Sequence, residues 1–514
     1  MKNKVIHIIL FVLTVAALCL PAIQQHGHLF RLKRVMGTTV VTSRPEFSLK
    51  SFMKGEYQAV EDQYLTENIG FRECYIRYYN QLVWSLFRKS QNETIFVGKD
   101  NWLFNDFVME HYKRQSVYHF FGSNELAIKK MNSDARLLRQ LQGVLDSFGI
   151  TLFVCITPTK DMVCDAYMPE VKEGEMGQGM LAIDFYPPVF DSLGIRYLDF
   201  SSYFMQLCDK VSYPLYLKSA SHWSNLAATY MADTLLRYME AVSGHNLHNL
   251  SFSAPYSAPT RTPDDDLESV MNLMWPIESD QNLYVDAIPD DDSTAIKPRW
   301  LVVGDSYFRG WQYSLPLDSL FETHHYWRYN NTVFDDPLHE NVSEVDQLRA
   351  LLSSDIITIL YNPCNLYDLN RGFLTKSLFS LCYEEGVVNW MLGEIKKQIE
   401  SRPEWLERMQ DRALQQGAPL DQVLASEASY MLNNAPGDYF VEFNDTVVPT
   451  RRNSRIAKVQ ADLNDPEKQR LWTGVGLSRE WRNSIMEKAK AAHLTLDQAV
   501  ERDVDWMVQQ KKEN

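Results

Sequence analysis

The chain has no surplus of positive charge. Its 51 Lys and Arg are outnumbered by 66 Asp and Glu, leaving a formal net charge of −15 at pH 7. A surface that binds phosphate backbones without sequence preference has to be basic, so nonspecific nucleic-acid binding is excluded. There is no zinc-type Cys/His spacing, no P-loop and no glycine-rich dinucleotide fingerprint. No metal and no other cofactor is therefore expected. The acidic runs Asp264 to Asp266 and Asp290 to Asp292 lack the spacing of a calcium loop and read as solvated loops. Cysteine is sparse, with seven scattered over 514 residues: Cys19, Cys74, Cys155, Cys164, Cys208, Cys364 and Cys382. Beyond Cys19, the other six allow up to three disulfides in an oxidising compartment, or free buried thiols, and spacing does not choose between them.

One uncharged run stands out, from Val5 to Ile23, preceded by Lys2 and Lys4. It is longer than most signal-peptide cores and near the lower limit for a membrane span. No clear small-x-small cleavage site follows in Pro21 to His26, and the residues before Cys19 fit a lipoprotein signal poorly. The expectation is an uncleaved signal anchor within residues 1–25, with a cleaved signal peptide as the alternative, and the rest of the chain outside the cytoplasm. Arg31, Lys33 and Arg34 weaken the charge bias that would set the orientation.

What is present describes a globular chain: 45% hydrophobic and 12% aromatic residues over a length greater than one typical domain. Residues 26–60 read as a connector. Ile76, Tyr79, Leu82, Val83 and Leu86 recur at helical spacing, which predicts an amphipathic helix packed on something. Ile95 to Phe104 reads as a hairpin turning at Gly98 to Asn101. Asn124 to Phe148 has a helical period, with Ser123 as N-cap and Gly149 as stop. Thr151 to Ile156, Arg196 to Phe200, His324 to Tyr329 and Asp355 to Tyr361 read as strands alternating with helices. Residues 254–298, rich in Pro, Asp and Ser, form a long excursion. The pattern predicts an α/β domain over residues 61–388, a doubly wound parallel sheet flanked by helices.

From about Asn389 the composition turns helical and charged. Trp405…Met409…Ala413…Leu420-Asp-Gln422 recurs as Trp481…Ile485…Ala489…Leu496-Asp-Gln498 at a constant offset of 76. Each copy reads as helix, turn, helix. Residues 389–514 are thus expected to be an all-α module of two repeats, suited to packing or interaction.

The stretch Trp300-Leu-Val-Val-Gly-Asp-Ser306 is a branched apolar strand that stops abruptly at a serine. Ligands bind α/β sheets beyond the carboxyl ends of the strands, so Ser306 stands where chemistry would occur. A serine hydroxyl is not ionised at neutral pH and needs a base. The best candidate is His222, in Leu217-Lys-Ser-Ala-Ser-His-Trp-Ser-Asn225.

These features in order resemble the SGNH-like acyltransferase family that includes the alginate O-acetylation proteins AlgX and AlgJ and the related DHHW proteins. Ile95 to Phe104 is similar to its Val-Gly-x-x-x-Trp-Leu-Phe segment. Thr157-Pro-Thr-Lys160 with Tyr167-Met-Pro169 resembles its strand-end motif. Ser221-His-Trp-Ser224 falls at its Asp-x-His-Trp motif, and Gly304-Asp-Ser306 at its nucleophile. The likeness covers roughly residues 60–388, and the histidine precedes the serine by 84 residues, as in the AlgX and AlgJ branch.

The resemblance implies acyl transfer or hydrolysis, usually of acetyl, on a cell-envelope polysaccharide in the periplasm, with anchoring in the inner membrane by residues 5–23. It also implies a membrane acyl-donor protein as partner. Ser306 would be the nucleophile, His222 its base, and the Ser306 N–H part of an oxyanion hole, with Asn362 or Asn365 as further donors. One residue departs from the family: its aspartate two before the histidine is Ala220 here. Losing such a carboxylate costs about 10⁴ in rate in a well-studied triad. Asp199, at a strand end, is the candidate replacement. The alternatives are a slow Ser–His dyad, a carbohydrate acetylesterase, or a noncatalytic carbohydrate-binding or scaffold protein.

Overall fold

The computed structural model describes residues 2–37, 42–172, 174–208, 210–277, 282–383, 385–434, 454–492 and 494–513. Its centre is a six-stranded sheet. In chain order the strands are β1 (Thr151–Ile156), β2 (Tyr197–Asp199), β3 (Arg299–Gly304), β4 (Thr323–Arg328), β5 (Thr332–Phe334) and β6 (Ile356–Tyr361). They lie side by side as β5-β4-β3-β6-β1-β2. β3 is central, parallel to β4 on one side and to β6 on the other.

The apolar runs of β1, β3 and β6 have no polar face because both faces are covered. Alternate residues point to opposite sides. Leu301, Val303, Ile357 and Ile359 join one apolar cluster, whereas Trp300, Val302, Ile356 and Leu360 join the other. The helices are α1 (Lys2–Gly27), α2 (Arg72–Phe87), α3 (Asn124–Asp146), α4 (Ala182–Leu193), α5 (Asn225–Ser243), α6 (Asp266–Met271), α7 (Phe308–Ser314) and α8 (Phe373–Cys382). α3, α4 and α8 cover the first face, while α5 and α7 cover the second. Ser123 caps α3 as expected, its side chain accepting from the Leu126 N–H, and Gly149 turns the chain with φ +74°.

The sheet is mixed, not wholly parallel. β5 runs antiparallel to β4, with Tyr326 opposite Phe334. Three residues join the two strands; Tyr329 (φ 51°) and Asn330 (φ 52°) both adopt left-handed backbone, and the Asn331 N–H closes the turn on the Arg328 carbonyl at 3.0 Å. The remaining five strands are parallel. Gly304 ends β3 where β6 crowds it: a Cβ there would lie 2.1 Å from the Leu360 carbonyl oxygen.

Two expectations from the sequence are reversed. The acidic run at Asp264 is not a solvated loop. Asp264 is buried and accepts the Asn225 N–H at 2.9 Å, at the start of α5. On α2, Tyr79, Leu82 and Leu86 of the expected stripe are exposed, Ile76 and Val83 are half-buried, and the buried residues are Gln81 and Trp84. Cys155, Cys164, Cys364 and Cys382 are buried thiols, and no disulfide is seen among the described residues.

The C-terminal helices are α9 (Glu385–Glu400), α10 (Pro403–Gln416), α11 (Leu420–Asn434), α12 (Arg455–Leu463), α13 (Pro466–Leu477), α14 (Arg479–Ala492) and α15 (Leu496–Glu513). The equivalent repeat positions are equally buried, Met409 and Ala413 in α10, Ile485 and Ala489 in α14. The two copies differ in what they pack on. The first merges with the apolar cluster under the sheet, and the second forms its own cluster around Leu338.

A buried histidine ties that second copy to the sheet. His339 lies 2.7 Å from Asp336 through Nδ1 and 2.7 Å from Asp497 of α15 through Nε2. Burial alone would lower its pKa, but Asp497 and Asp336 outweigh it and hold the imidazolium up to about 10. Burial likewise opposes ionisation of Asp336, yet its bond to His339 takes that carboxyl down to about 2. A histidine pKa raised on folding gives stability that is full below the ordinary value near 6.5 and is lost as pH rises towards 10. Thermal unfolding is therefore expected at lower temperature at pH 10 than at pH 6, with a smaller difference in His339→Gln. His339→Ala is expected to cost about 3–5 kcal/mol, because it strands two buried carboxylates. Identical pH slopes in the two proteins would remove His339 from this role.

Candidate active site

Three loops meet beyond the carboxyl end of β3. The first carries Ser306, two residues past the strand and one turn before α7. Asp305 between them points inward and is fully buried. Its carboxylate accepts the Tyr307 N–H at 3.0 Å, the Asn362 N–H at 2.8 Å and the Asn365 side-chain amide at 3.0 Å. Burial pushes the Asp305 carboxyl up, and these donors oppose that shift. The carboxylate thus ties the ends of β3 and β6 together and sets the turn that presents Ser306, which stays partly exposed.

The second loop carries His222. Trp223 beside it is completely buried, with its ring 5.0 Å from Trp311 and 5.9 Å from Phe200. Ser224 caps α5 by accepting the Ala227 N–H. His222 is therefore held between a sunken indole and a helix start. Below it lies Lys160, fully buried, at the end of the Thr157-Pro-Thr-Lys160 segment. Its ammonium donates to the carbonyl oxygens of Leu103 (2.8 Å), Leu217 (2.9 Å), Lys218 (3.2 Å) and Ala220 (2.5 Å). It also lies 5.0 Å from the Trp102 ring centre and 5.1 Å from that of Phe104. Burial lowers the Lys160 pKa to about 7. Trp102 in turn stacks on Tyr167 at 4.5 Å. The Trp-Leu-Phe, Thr-Pro-Thr-Lys and Tyr-Met-Pro segments thus form one support under the histidine loop.

The third loop is the 254–298 excursion, and it supplies a carboxylate. Asp266, the first residue of α6, lies 2.5 Å from His222 Nδ1 through one oxygen. Its other oxygen accepts the Ser221 N–H at 2.6 Å. On the far side of the ring, His222 Nε2 is 2.8 Å from Ser306 Oγ. With the carboxylate on Nδ1, that nitrogen carries the proton and Nε2 is the acceptor facing the serine hydroxyl. The two loops are clasped by backbone as well: the Ser219 carbonyl accepts the N–H groups of Leu267 and Glu268 at 3.1 Å each.

Ser306 and His222 are thus brought together as the sequence predicts, and Asp199 is not brought to them. The Asp199 carboxylate caps the helix Phe200–Leu207, accepting from the Ser202 N–H at 3.0 Å and the Ser202 hydroxyl at 2.5 Å. The Asn365 amide donates to Asp305, and the Asn362 side-chain oxygen accepts the Cys364 N–H inside its own turn. Sequence reasoning missed Asp266 and also Tyr329, a phenol beside Ser306 whose pKa burial pushes up. Tyr329 sits on left-handed backbone at the β4–β5 turn, with its N–H bonded to the Gly304 carbonyl at 2.7 Å. Strain of this kind gathers at functional sites, and only the structure shows it. Asp266 gave no local signal, because it lies in a run of three aspartates far along the chain.

Fold and motifs together define the class: an SGNH hydrolase-like domain. Residues 95–316 match the family described as SGNH hydrolase-like domain, acetyltransferase AlgX. Among solved structures, the O-acetyltransferase domain of Pseudomonas putida AlgJ is 15% identical, with a TM-score of 0.34 over 53% of this chain and 92% of that one. Pseudomonas aeruginosa AlgX is 15% identical, with a TM-score of 0.35 over 54% and 67%. A DHHW family protein from Eubacterium siraeum is 12% identical, with a TM-score of 0.28 over 47% and 88%. No curated protein sequence matches the chain.

Replacing Lys160 by Met keeps the length of the side chain and removes a donor from four carbonyl oxygens, of which Leu217 and Lys218 still accept a backbone N–H. Lys160→Met is expected to cost about 2 kcal/mol or more, since each buried unsatisfied acceptor costs about 1–3 kcal/mol. Chemical denaturation checks this. An unchanged midpoint would show that the ammonium does not support the loop.

Proposed function

We propose that the chain is an O-acyltransferase of the AlgX and AlgJ type, moving an acetyl group to a hydroxyl of a cell-envelope polysaccharide. The observation that carries this reading is the His222 ring, with Asp266 at 2.5 Å on Nδ1 and Ser306 at 2.8 Å on Nε2. The match of residues 95–316 to an acetyltransferase family supports it.

In this reading Ser306 Oγ attacks the acyl carbon of a donor ester, and its proton passes to His222 Nε2. The tetrahedral oxyanion is stabilised by the Ser306 N–H and by the Tyr329 hydroxyl. Asp266 stabilises the imidazolium and keeps the ring aligned. His222 then protonates the leaving alcohol, and an acyl-serine remains. A sugar hydroxyl gives its proton to His222 as it attacks that ester, and the proton returns to Ser306 as the O-acyl sugar leaves. Water in place of the sugar would make the same site an esterase.

Helix α1 supports a location at the membrane. Val5–Gly27 is long and apolar enough to cross a membrane, and its most apolar stretch is not buried in the protein. We read it as an anchor in the inner membrane with the rest of the chain in the periplasm, where a membrane protein would supply the acyl group. The noncatalytic reading drew its force from Ala220. Asp266 answers that objection from another loop.

An acetyl-ester reporter assay with labelling by a serine-directed probe tests the proposal. Ser306→Ala is expected to abolish turnover and labelling. Asp266→Ala is expected to lower the rate by about 10³–10⁴. Asp199→Ala is expected to leave it near wild type. Equal activity in wild type and Ser306→Ala would overturn the mechanism. Failure of the probe to label a folded wild-type chain would favour carbohydrate binding without catalysis.

A further inference from the structure

Helix α2 is built inside out. Tyr75, Tyr78, Tyr79, Leu82 and Leu86 stand at spacings of three and four, a single apolar stripe, and all are exposed. The opposite face is the one that packs, through Trp84 in a small apolar cluster and through polar side chains beside it. Asn80 donates to the Met271 carbonyl at 2.7 Å, and the Gln81 side-chain oxygen accepts the N–H groups of Met274 and Trp275. Arg77 donates to the Arg34 carbonyl at 2.7 Å. A soluble chain gains nothing by turning three tyrosines and two leucines outward along 16 residues.

The position of α2 says what covers the stripe. The turn that starts α2 is pressed against the end of α1: a Cβ on Gly70 would lie 2.0 Å from the Pro21 carbonyl oxygen. The Phe71 ring is 6.0 Å from that of Phe30, just past α1. The stripe therefore begins where the apolar helix ends and runs on for about 20 Å. Tyrosine is enriched at that level of a bilayer, where the ring is apolar and the hydroxyl wet. Arg72, Arg88 and Lys89 flank the stripe with positive charge, as interfacial helices carry towards anionic headgroups.

We propose that α2 is an interfacial helix that lies on the phospholipid surface with its Tyr75–Leu86 stripe among the headgroups. The proposal rests on reading α1 as a membrane span. It gives the domain a second contact with the bilayer beside its anchor. Because Asn80 and Gln81 hold the segment that follows α6, the helix that supplies Asp266 rests on the docked one. The catalytic cleft is then held close to the membrane surface, where a membrane-borne acyl donor would have to deliver its group.

The experiment uses the full chain in phosphatidylcholine and phosphatidylglycerol nanodiscs. Cys19, Cys74 and Cys208, the three thiols that are not buried, are changed to Ser. A single Leu82→Cys carries an NBD label, and Lys490→Cys, exposed on α14, is the control. Doxyl lipids quenching at headgroup level are expected to remove most of the emission from position 82 and little from position 490. Equal, weak quenching at both positions would overturn the proposal. So would a blue-shifted but unquenched label at position 82, which would mean that a second copy of the chain covers the stripe. A chain that does not enter nanodiscs at all would overturn the reading of α1 itself.

Discussion

The structure depends on the clasp between the histidine loop and the start of α6. Asp266 accepts from the Ser221 N–H and the His222 ring together, and the Ser219 carbonyl accepts two N–H groups from the first turn of α6. This contact joins residues more than forty positions apart and fixes a ring that would otherwise rotate freely. Everything nearby serves it. Lys160 pins the loop from below, Trp223 holds it from within, and Asp305 sets the serine turn that the ring must meet.

The clasp also explains why so much polar structure is tolerated in the interior. A buried ammonium and a buried carboxylate are each costly unless their bonds are complete. Lys160 meets four carbonyl oxygens, and Asp305 meets three donors. Each polar group is matched to backbone at the ends of strands, where chain ends would otherwise be loose. The result is a rigid floor beneath a partly open site. The His339 bridge repeats the device on the other side of the sheet. There a buried imidazolium between two carboxylates joins α15 to the loop after β5.

Much of the frame was readable in the chain. Buried parallel strands announce themselves as branched apolar runs, and β1, β3 and β6 are such runs. Ser123 and Gly149 bounded α3 because caps and left-handed stops use particular residues. The β4–β5 hairpin was not legible as antiparallel, since Tyr329 and Asn330 are not the glycine-rich pair that usually marks such a turn. The orientation of α2 was not legible either. Periodicity shows that a helix has an apolar stripe, and does not say whether protein or lipid faces it. Ser306 and His222 were found from their local settings, a strand end and a helix start.

The sequence alone determined the strand that ends in Ser306, the helix that begins after His222, and the repeat at the C-terminus. Those depend on local periodicity, caps and spacing, which a linear reading contains. Tertiary structure decided which carboxylate meets the histidine. Asp199 and Asp266 are both aspartates at the start of short helices, and nothing local separates them. Asp199 turns back to cap its own helix, and Asp266 crosses to another loop. Only the tertiary contact of Asp266 with the histidine loop distinguishes the two, because a hydrogen bond of 2.5 Å depends on position in space and not on distance along the chain.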